Sequence, residues 1–364
     1  MAADVRERLW TARPATSDDR EDQRRLFNTC FRKQKSVDTF LWKYERNPDG
    51  PAISRVACAP DGQVVGSYSY VPRRFRRDGE SVVLCQASDA MTDPAWQGKG
   101  IFTGLDDVVC AAAGEAGSAW AYAYSGRLSL KGFLRNGWQC LGHAPVFRYR
   151  FRSERSLRRL GRIGPLAARL APLVDLSLGG RARARFGASD GSGTEELVRL
   201  DRFDQRVDAL FDAVCPPTGL VGERHADWLN WRYVDNPTGR QECFALLRGE
   251  ELAGYLVAEF VDGNAYLVDH LAAGPDDLAT LLRAFTTLAW TREMEEATAM
   301  HFDHHPAVPL LLQLGYERPR GRKPFRDVFP WIVRACREDA PGADLALDRW
   351  HVSDGDRDAE HMSA

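Results

Sequence analysis

Nothing in these 364 residues looks like a membrane span: no apolar run approaches the roughly 20 residues a bilayer requires, and the opening "MAADVRERLW" is charged where a signal peptide would be apolar. An excess of positive charge is also missing. Lys and Arg number 49 against 51 Asp and Glu, whereas a general nucleic-acid binder must neutralise phosphates. The eight cysteines stand singly, with no C-x-x-C and no close Cys/His spacing of the kind zinc ligands take. Together these absences point to a reduced, cytoplasmic protein that meets neither membrane nor nucleic acid, and they assign it no metal. Its 44% hydrophobic and 27% charged residues are those of an ordinary globular protein. The length is long for one core and suits two domains.

Self-similarity supports the division. "FLWKYERNPDG" (Phe40 to Gly50) returns as "LNWRYVDNPTG" (Leu229 to Gly239), matching Trp42 with Trp231, Tyr44 with Tyr233, Asn47-Pro48 with Asn236-Pro237, and Gly50 with Gly239. Each copy leads into a strand, a turn and a second strand, with Gly66 and Gly254 in equivalent places. "SVVLCQASDAM" then corresponds to "NAYLVDHLAA", each an apolar strand with an aspartate near its end, Asp89 and Asp269. A helical segment follows in both halves, and each closes on Gly-aromatic, Gly137-Trp138 and Gly315-Tyr316. The order of helices, strand meander, strand, helix, strand and closing helix is that of an α+β or mixed α/β domain, duplicated.

The expected boundaries are 1–150 for the first domain, 151–192 for an arginine-rich connector, 193–340 for the second domain, and 341–364 for an acidic tail. The connector reads as a solvated or cleft-lining helix, with a polybasic phosphate- or membrane-binding patch as the sharper alternative. The tail is expected to be mobile, with Trp350 as a possible anchor at its start.

The motif richest in chemistry is "DAMTDPAWQGKGIFTGL", Asp89 to Leu105, a glycine turn between a strand and a helix. A P-loop needs G-x-x-x-x-G-K-[ST], but Lys99 lies between glycines and is followed by Gly100. A dinucleotide fingerprint needs an apolar strand running directly into the first glycine and an acid about 20 positions on. Here "DPAWQ" intervenes and "WAYAYS" stands where the acid should be. The turn itself suits a phosphorylated ligand: glycines let backbone N–H groups converge on an anion, and the helix beginning near Ile101 presents its positive end. The plainer alternative is a turn that serves chain geometry alone.

The run T-D-P-x-x-Q-G-K-G-I-F closely resembles the acyl-CoA signature of the GNAT acyltransferases, R/Q-x-x-G-x-G/A. Gln97, Gly98, Lys99, Gly100 and Ile101 fit it, and Phe102 departs from the final small residue. "WAYAYSGRLSLKGFLRNGW" is similar to the later GNAT strand and helix, so the resemblance covers most of residues 15–150. It implies a mostly antiparallel central sheet flanked by helices, with acetyl-CoA as cosubstrate held by Gln97 to Thr103. It also implies that the backbone of Ala90, Met91 and Thr92 receives the pantetheine arm. The second half has "LAAGPDDLATLL" at the matching place, with no Q/R, no G-x-G and two aspartates that would repel a diphosphate. One acyl-CoA per chain is therefore expected.

Acyl transfer to an amine needs a base, oxyanion stabilisation and a route for the thiolate to leave. Asp89 is the first candidate for the base, with ammonium binding or turn capping as alternatives. Tyr124, which alternates with Tyr122 on one strand face, is the candidate acid, with core packing as its alternative. The tyrosine that often serves the family as acid falls at Phe133, and the pantetheine-contacting asparagine falls at Gly126. Asp269 and His270, at the matching strand end of the second half, are candidates to face the substrate. "AMHFDHHPAV" puts His301, Asp303, His304 and His305 close in sequence; it reads as a cleft-lining turn, since no further ligand is evident.

The expected activity is N-acetyl transfer to a primary amine of a small molecule, such as an amino sugar or an aminoglycoside-like compound. The alternatives are an aminoacyl-tRNA-dependent amide-forming transferase and a non-catalytic CoA- or metabolite-binding module.

Overall fold

The computed structural model describes residues 9–126, 129–152, 195–319 and 328–358. In chain order the longer elements are β1 (Thr11–Pro14), α1 (Arg20–Phe31), α2 (Val37–Tyr44), β2 (Ile53–Cys58), β3 (Val64–Arg77), β4 (Glu80–Thr92), α3 (Ile101–Glu115), β5 (Trp120–Tyr124), α4 (Leu130–Arg135) and β6 (Gln139–Arg150). They continue as β7 (Glu195–Leu200), α5 (Gln205–Val214), β8 (Leu220–Gly222), α6 (Ala226–Leu229), β9 (Gln241–Arg248), β10 (Glu251–Val261), β11 (Asn264–Ala272), α7 (Pro275–Thr291), β12 (Glu296–Met300), α8 (Ala307–Leu314) and β13 (Val328–Ala335). The mixed α/β class with mostly antiparallel pairing, as read from the sequence, is what the chain adopts. The basic connector falls almost wholly outside the described residues.

Two compact units divide the chain. One comprises Met1–Gly142, Pro217–Glu223 and Phe329–Trp350; the other comprises His143–Pro216, Arg224–Val328 and His351–Ala364. Their borders differ from the contiguous 1–150 and 193–340 because strand pairing overrides chain order. In the first unit β5 takes Trp331–Ala335 of β13 as its antiparallel neighbour, while in the second β12 takes Val146–Arg150 of β6. At the start of the acidic tail Trp350 is an anchor: it is fully buried and its Nε1 donates to the Asp344 carbonyl at 2.8 Å. The Asp344 carboxylate in turn accepts from Trp120 Nε1 at 3.1 Å and pairs with Arg77 at 3.0 Å.

In the first unit the sheet order is β1-β2-β3-β4-β5-β13. Alternation along β2 and β3 puts successive side chains into different cores. Ala57, Tyr68 and Tyr70 join Ile101, Leu105 and Val109 of α3, whereas Val56, Cys58 and Val71 join Leu26, Phe27, Phe40 and Tyr44 of α1 and α2. The start of α3 lies tight on β3 because Gly66 has no side chain; a Cβ there would come within 2.5 Å of Ile101.

One buried carboxylate fixes the roll of α3. Asp106 accepts from Tyr70 Oη (2.8 Å), Asn136 Nδ2 (2.6 Å), Trp138 Nε1 (2.9 Å) and Arg334 Nη1 (2.5 Å). Its four donors come from β3, from the turn after α4, from the residue just before β6, and from β13. A fully buried carboxylate needs such partners, since an uncompensated buried charge is costly.

The second unit has the sheet order β6-β12-β11-β10-β9-β7, and α7 buries Leu278, Leu281, Leu282, Phe285 and Ala289 against it. Its internal details repeat those of the first unit. In both, the N-P-x-G segment is an Asx turn: Asn47 Oδ1 accepts from Asp49 N (3.2 Å), and Asn236 Oδ1 accepts from Thr238 N (3.0 Å). Both carry a one-residue bulge immediately before the matched glycine, at Val65 before Gly66 and at Ala253 before Gly254. A second bulge accompanies each strand-end aspartate: Asp89 and Ala90 lie opposite Tyr68 alone, and Val268 is the extra residue beside Asp269. The copies differ where α2 is α-helical but Asn230–Val234 forms a π turn.

Replacing Asp106 by alanine removes the carboxylate that faces Arg334 inside the fold, so stability is expected to fall by about 3–5 kcal/mol. A urea titration of the full chain measures it; a loss below about 1 kcal/mol would show the network to be dispensable.

Candidate active site

The parallel pair β4·β5 holds together only at Cys85↔Ala121 and Gln86↔Tyr122. Beyond Gln86 the two strands part, and among the described residues Ala87 to Thr92 have no ladder partner on β5. The bulge at Asp89 and Ala90 lies in this opened stretch, with Asp89 held at φ 46°, a left-handed conformation rare outside glycine. Met91 is buried in the core below α1 and α2, while Ala90 packs against the α3 side. Whatever Met91 offers a ligand, it offers through its backbone. Thr92 is half-buried, and its carbonyl accepts the Cys30 thiol at 3.3 Å.

After β4, Asp93 caps a short 3-10 turn, Pro94–Trp96, by accepting from Ala95 N. Gln97, Gly98, Lys99 and Gly100 are exposed. Gly98 (φ 78°) and Gly100 (φ 74°) are both left-handed, and a Cβ on Gly98 would meet nothing within 4 Å, so the turn opens onto solvent. Trp10 Nε1 donates to the Lys99 carbonyl at 3.1 Å, and the Lys99 ammonium lies 4.0 Å from the centre of the Trp96 ring. These contacts hold the turn in shape before any ligand arrives.

The helix that follows begins without help from side chains. Gly100 is its N-cap, no side chain caps it, and no acidic residue stands in its first turn. The N–H groups of Ile101, Phe102 and Thr103 have no intrahelical acceptor by the geometry of a helix start, and the positive end of the helix reinforces them. Ile101 is buried and contributes only its amide. The Thr103 hydroxyl turns back to the Gly100 carbonyl at 3.1 Å. The matching helix α7 is built the other way: Pro275 leads it, Asp276 and Asp277 occupy its first turn, and Asp277 is paired with Arg248. Its positive end is already occupied by carboxylates.

Asp89 is not an open base. Its Oδ2 accepts from Tyr44 Oη (2.7 Å) and Lys43 Nζ (3.0 Å), and its Oδ1 faces Lys35 Nζ (3.5 Å), with both lysine side chains as buried as the carboxylate. Burial and the adjacent carboxylate push the Tyr44 phenol well above its ordinary range, which fixes it as the donor. Asp269 has the same design. It accepts from Tyr233 Oη (2.9 Å) and Ser353 Oγ (3.0 Å), and it pairs with Arg224 Nε (2.8 Å). Both strand-end aspartates are thus engaged with cations, and their charge no longer argues for a cationic acceptor. Their pairing with the tyrosine of each repeat was legible in the sequence only as two separate matches.

Tyr124 is half-exposed at the end of β5, with its ring 4.7 Å from that of Trp331. Tyr122 is buried and stacked on the same tryptophan at 5.1 Å, so the two tyrosines share one face as the alternation required. Phe102 has a structural reason for departing from a small residue. Its ring lies 5.2 Å from Phe133 and 6.0 Å from Tyr68, in room left by Gly132, where a Cβ would approach the ring to 2.9 Å. Phe133 is buried in this cluster and brings no hydroxyl. A cavity of about 250 Å³ bounded by Arg77, Val82, Trp120, Arg337 and Asp344 includes no residue of the turn.

Residues 11–140 match the family model for the acetyltransferase (GNAT) domain. This part of the chain is a GNAT acetyltransferase domain. Solved structures agree at the level of fold. A GCN5-related N-acetyltransferase from Anabaena variabilis is 12% identical with a TM-score of 0.61, covering 90% of this chain and 73% of its own. One from Kribbella flavida is 14% identical with a TM-score of 0.54, covering 90% and 71%. Saccharomyces cerevisiae N-myristoyltransferase, solved with bound myristoyl-CoA, is 9% identical with a TM-score of 0.58, covering 90% and 79%. No curated protein sequence matches the chain. Among the described residues no helix is long and apolar enough to cross a membrane.

Removing the Asp89 carboxylate is expected to act on the GNAT domain through stability. Asp89→Ala should cost about 3–5 kcal/mol in a denaturant titration, as for any buried ion pair broken on one side. If turnover disappeared while the unfolding midpoint stayed put, Asp89 would act in the chemistry and not as an anchor.

Proposed function

We propose that the chain is an acyl-CoA-dependent N-acyltransferase, taking acetyl from acetyl-CoA to a primary amine of a small molecule, with one acyl-CoA per chain. The observation that carries this reading is the exposed turn leading into α3: two left-handed glycines, followed by helix amides with no intrahelical acceptor and no acid in the first turn. The backbone of Gly98 to Thr103 would receive the diphosphate, with Lys99 adding a cation and Gln97 bordering the turn. The parted edge of β4 from Ala90 to Thr92 would receive the pantetheine arm and orient the thioester. The amine would attack the thioester carbon directly, the oxyanion would form against backbone donors and collapse to expel the CoA thiolate, and the proton shed by the amine would pass to solvent. Tyr124 is the hydroxyl best placed by sequence to give that thiolate a proton. The eight free thiols of the chain support a reducing, cytoplasmic setting.

A second reading, a non-catalytic acyl-CoA-binding module, is favoured by the committed state of Asp89 and the missing hydroxyl at Phe133. Calorimetry and a thiol-release screen separate the two. Acetyl-CoA is expected to bind at one per chain, and Gly100→Glu, which puts a carboxylate at the helix start, should weaken binding at least ~100-fold, more than the ~2 kcal/mol upper range of helix-end charge effects alone because sterics and left-handed strain add to repulsion. Unchanged binding would remove the site assignment. Release of CoA with any amino sugar, aminoglycoside or simple amine establishes turnover; binding without release across such a panel establishes the module.

A further inference from the structure

The second unit gathers three histidines where its sheet opens. The parallel ladder β11·β12 runs from Asn264↔Glu296 to Leu267↔Ala299, so His270 and His301 lie just past its last pair, on neighbouring strand ends. His305 follows in the turn that leads into α8. One nitrogen from each of His270, His301 and His305 lies within 4.8 Å of the others. The ring centres of His301 and His305 are 4.2 Å apart, nearly parallel, and those of His270 are 5.1 and 5.4 Å from them. The sequence showed only His301, Asp303, His304 and His305 as a run, with no further ligand; the parallel register supplies it as His270, 31 residues earlier.

The nitrogens are arranged for a cation. Nε2 of His270 and Nε2 of His301 face each other at 3.3 Å. Two imidazole nitrogens bound to one tetrahedral metal at about 2.0–2.1 Å stand about 3.3–3.4 Å apart. Only one proton fits between such a pair, and Nδ1 of His301 is buried with no hydrogen-bond partner among the described residues. Burial lowers all three imidazoles from their ordinary value, joined by neighbouring histidines at His301 and His305 and by Arg224 at His270, which favours the neutral form that binds metals. His305 Nδ1 accepts the Ala307 N–H (3.1 Å), so the neutral ring carries its proton on Nε2; Nε2 can take a metal once that proton shifts through solvent to Nδ1, which gives up the Ala307 bond. Asp269 is next in sequence but committed to Arg224, Tyr233 and Ser353, which leaves an all-imidazole set. Such a set suits a borderline divalent transition metal and leaves a fourth position open.

We propose that His270, His301 and His305 form a binding site for one divalent transition-metal cation of the zinc type. The full chain, stripped with chelator, tests it. Titration with Zn²⁺ should saturate at one equivalent per chain and raise the thermal midpoint, and Co²⁺ should give the intense visible bands of a tetrahedral nitrogen site. His270→Ala and His301→Gln should each weaken Zn²⁺ binding by at least ~100-fold, more than the loss typical of an outer-shell contact. Circular dichroism checks that each variant is folded, with His301→Gln retaining most of the buried volume. Absence of the Co²⁺ bands in the unaltered chain overturns the site whatever the variants do. So does Zn²⁺ affinity that is the same in a folded His270→Ala/His301→Gln double variant.

Discussion

The placement of α3 rests on Asp106. A helix start can serve an anion only if its axis and depth are fixed; in α3 the first turn sets the depth by burying Ile101 on β3. Its roll is fixed one turn later, by a carboxylate that draws four donors from separate segments into the core. Two of them come from near the closing turn of the domain and one from a strand more than 200 residues further along the chain. That strand, β13, completes the sheet of the first unit beside β5, so the C-terminal segment is part of the frame that holds the turn. Burying a carboxylate is tolerable only when each lone pair is met, and this requirement ties sheet, helix and closing turn into one arrangement.

The two units solve a second problem in the same way. Each must open a sheet at a strand end, where backbone groups lose their ladder partners and the strand needs another hold. In both, a one-residue bulge turns an aspartate inward, and the tyrosine of the repeated aromatic segment donates to it at 2.7 or 2.9 Å. The cation differs, Lys43 and Lys35 in one and Arg224 in the other, although the position of the carboxylate does not. The two units therefore share a strand anchor, in which the aromatic segment and the strand-end aspartate stand together whether or not a glycine turn follows.

Much of this was legible in the residues. The order of elements, the alternation of Tyr122 and Tyr124, the glycine turn and its helix all follow from local pattern, because local pattern decides them. The bonding of Asp89 was not legible, since Lys35 and Lys43 are 46 to 54 residues away and reach it only after α2 packs on the sheet. The exchange of strands between units was hidden for a related reason: edge strands of similar composition carry no mark of which sheet they will join. His270 was visible as a strand-end residue, but its neighbour His301 is set by parallel register across a helical crossover, which no local period encodes. Phe102 looked anomalous because the room it fills is made by Gly132, thirty residues on.

Divergence between the units is most sharply expressed at their helix starts. A free helix N-terminus is a partial positive charge that something must satisfy, and the sequence chooses what. In α7 the chain satisfies it internally: Asp276 and Asp277 enter the first turn, Arg248 balances Asp277, and proline removes one amide from the account. In α3 it leaves the charge open, spends two glycines on left-handed backbone, and braces the turn from behind with Trp10 and Trp96. An open helix end costs stability unless something meets its amides, so the open start of α3 and the acid-filled start of α7 set the two units apart.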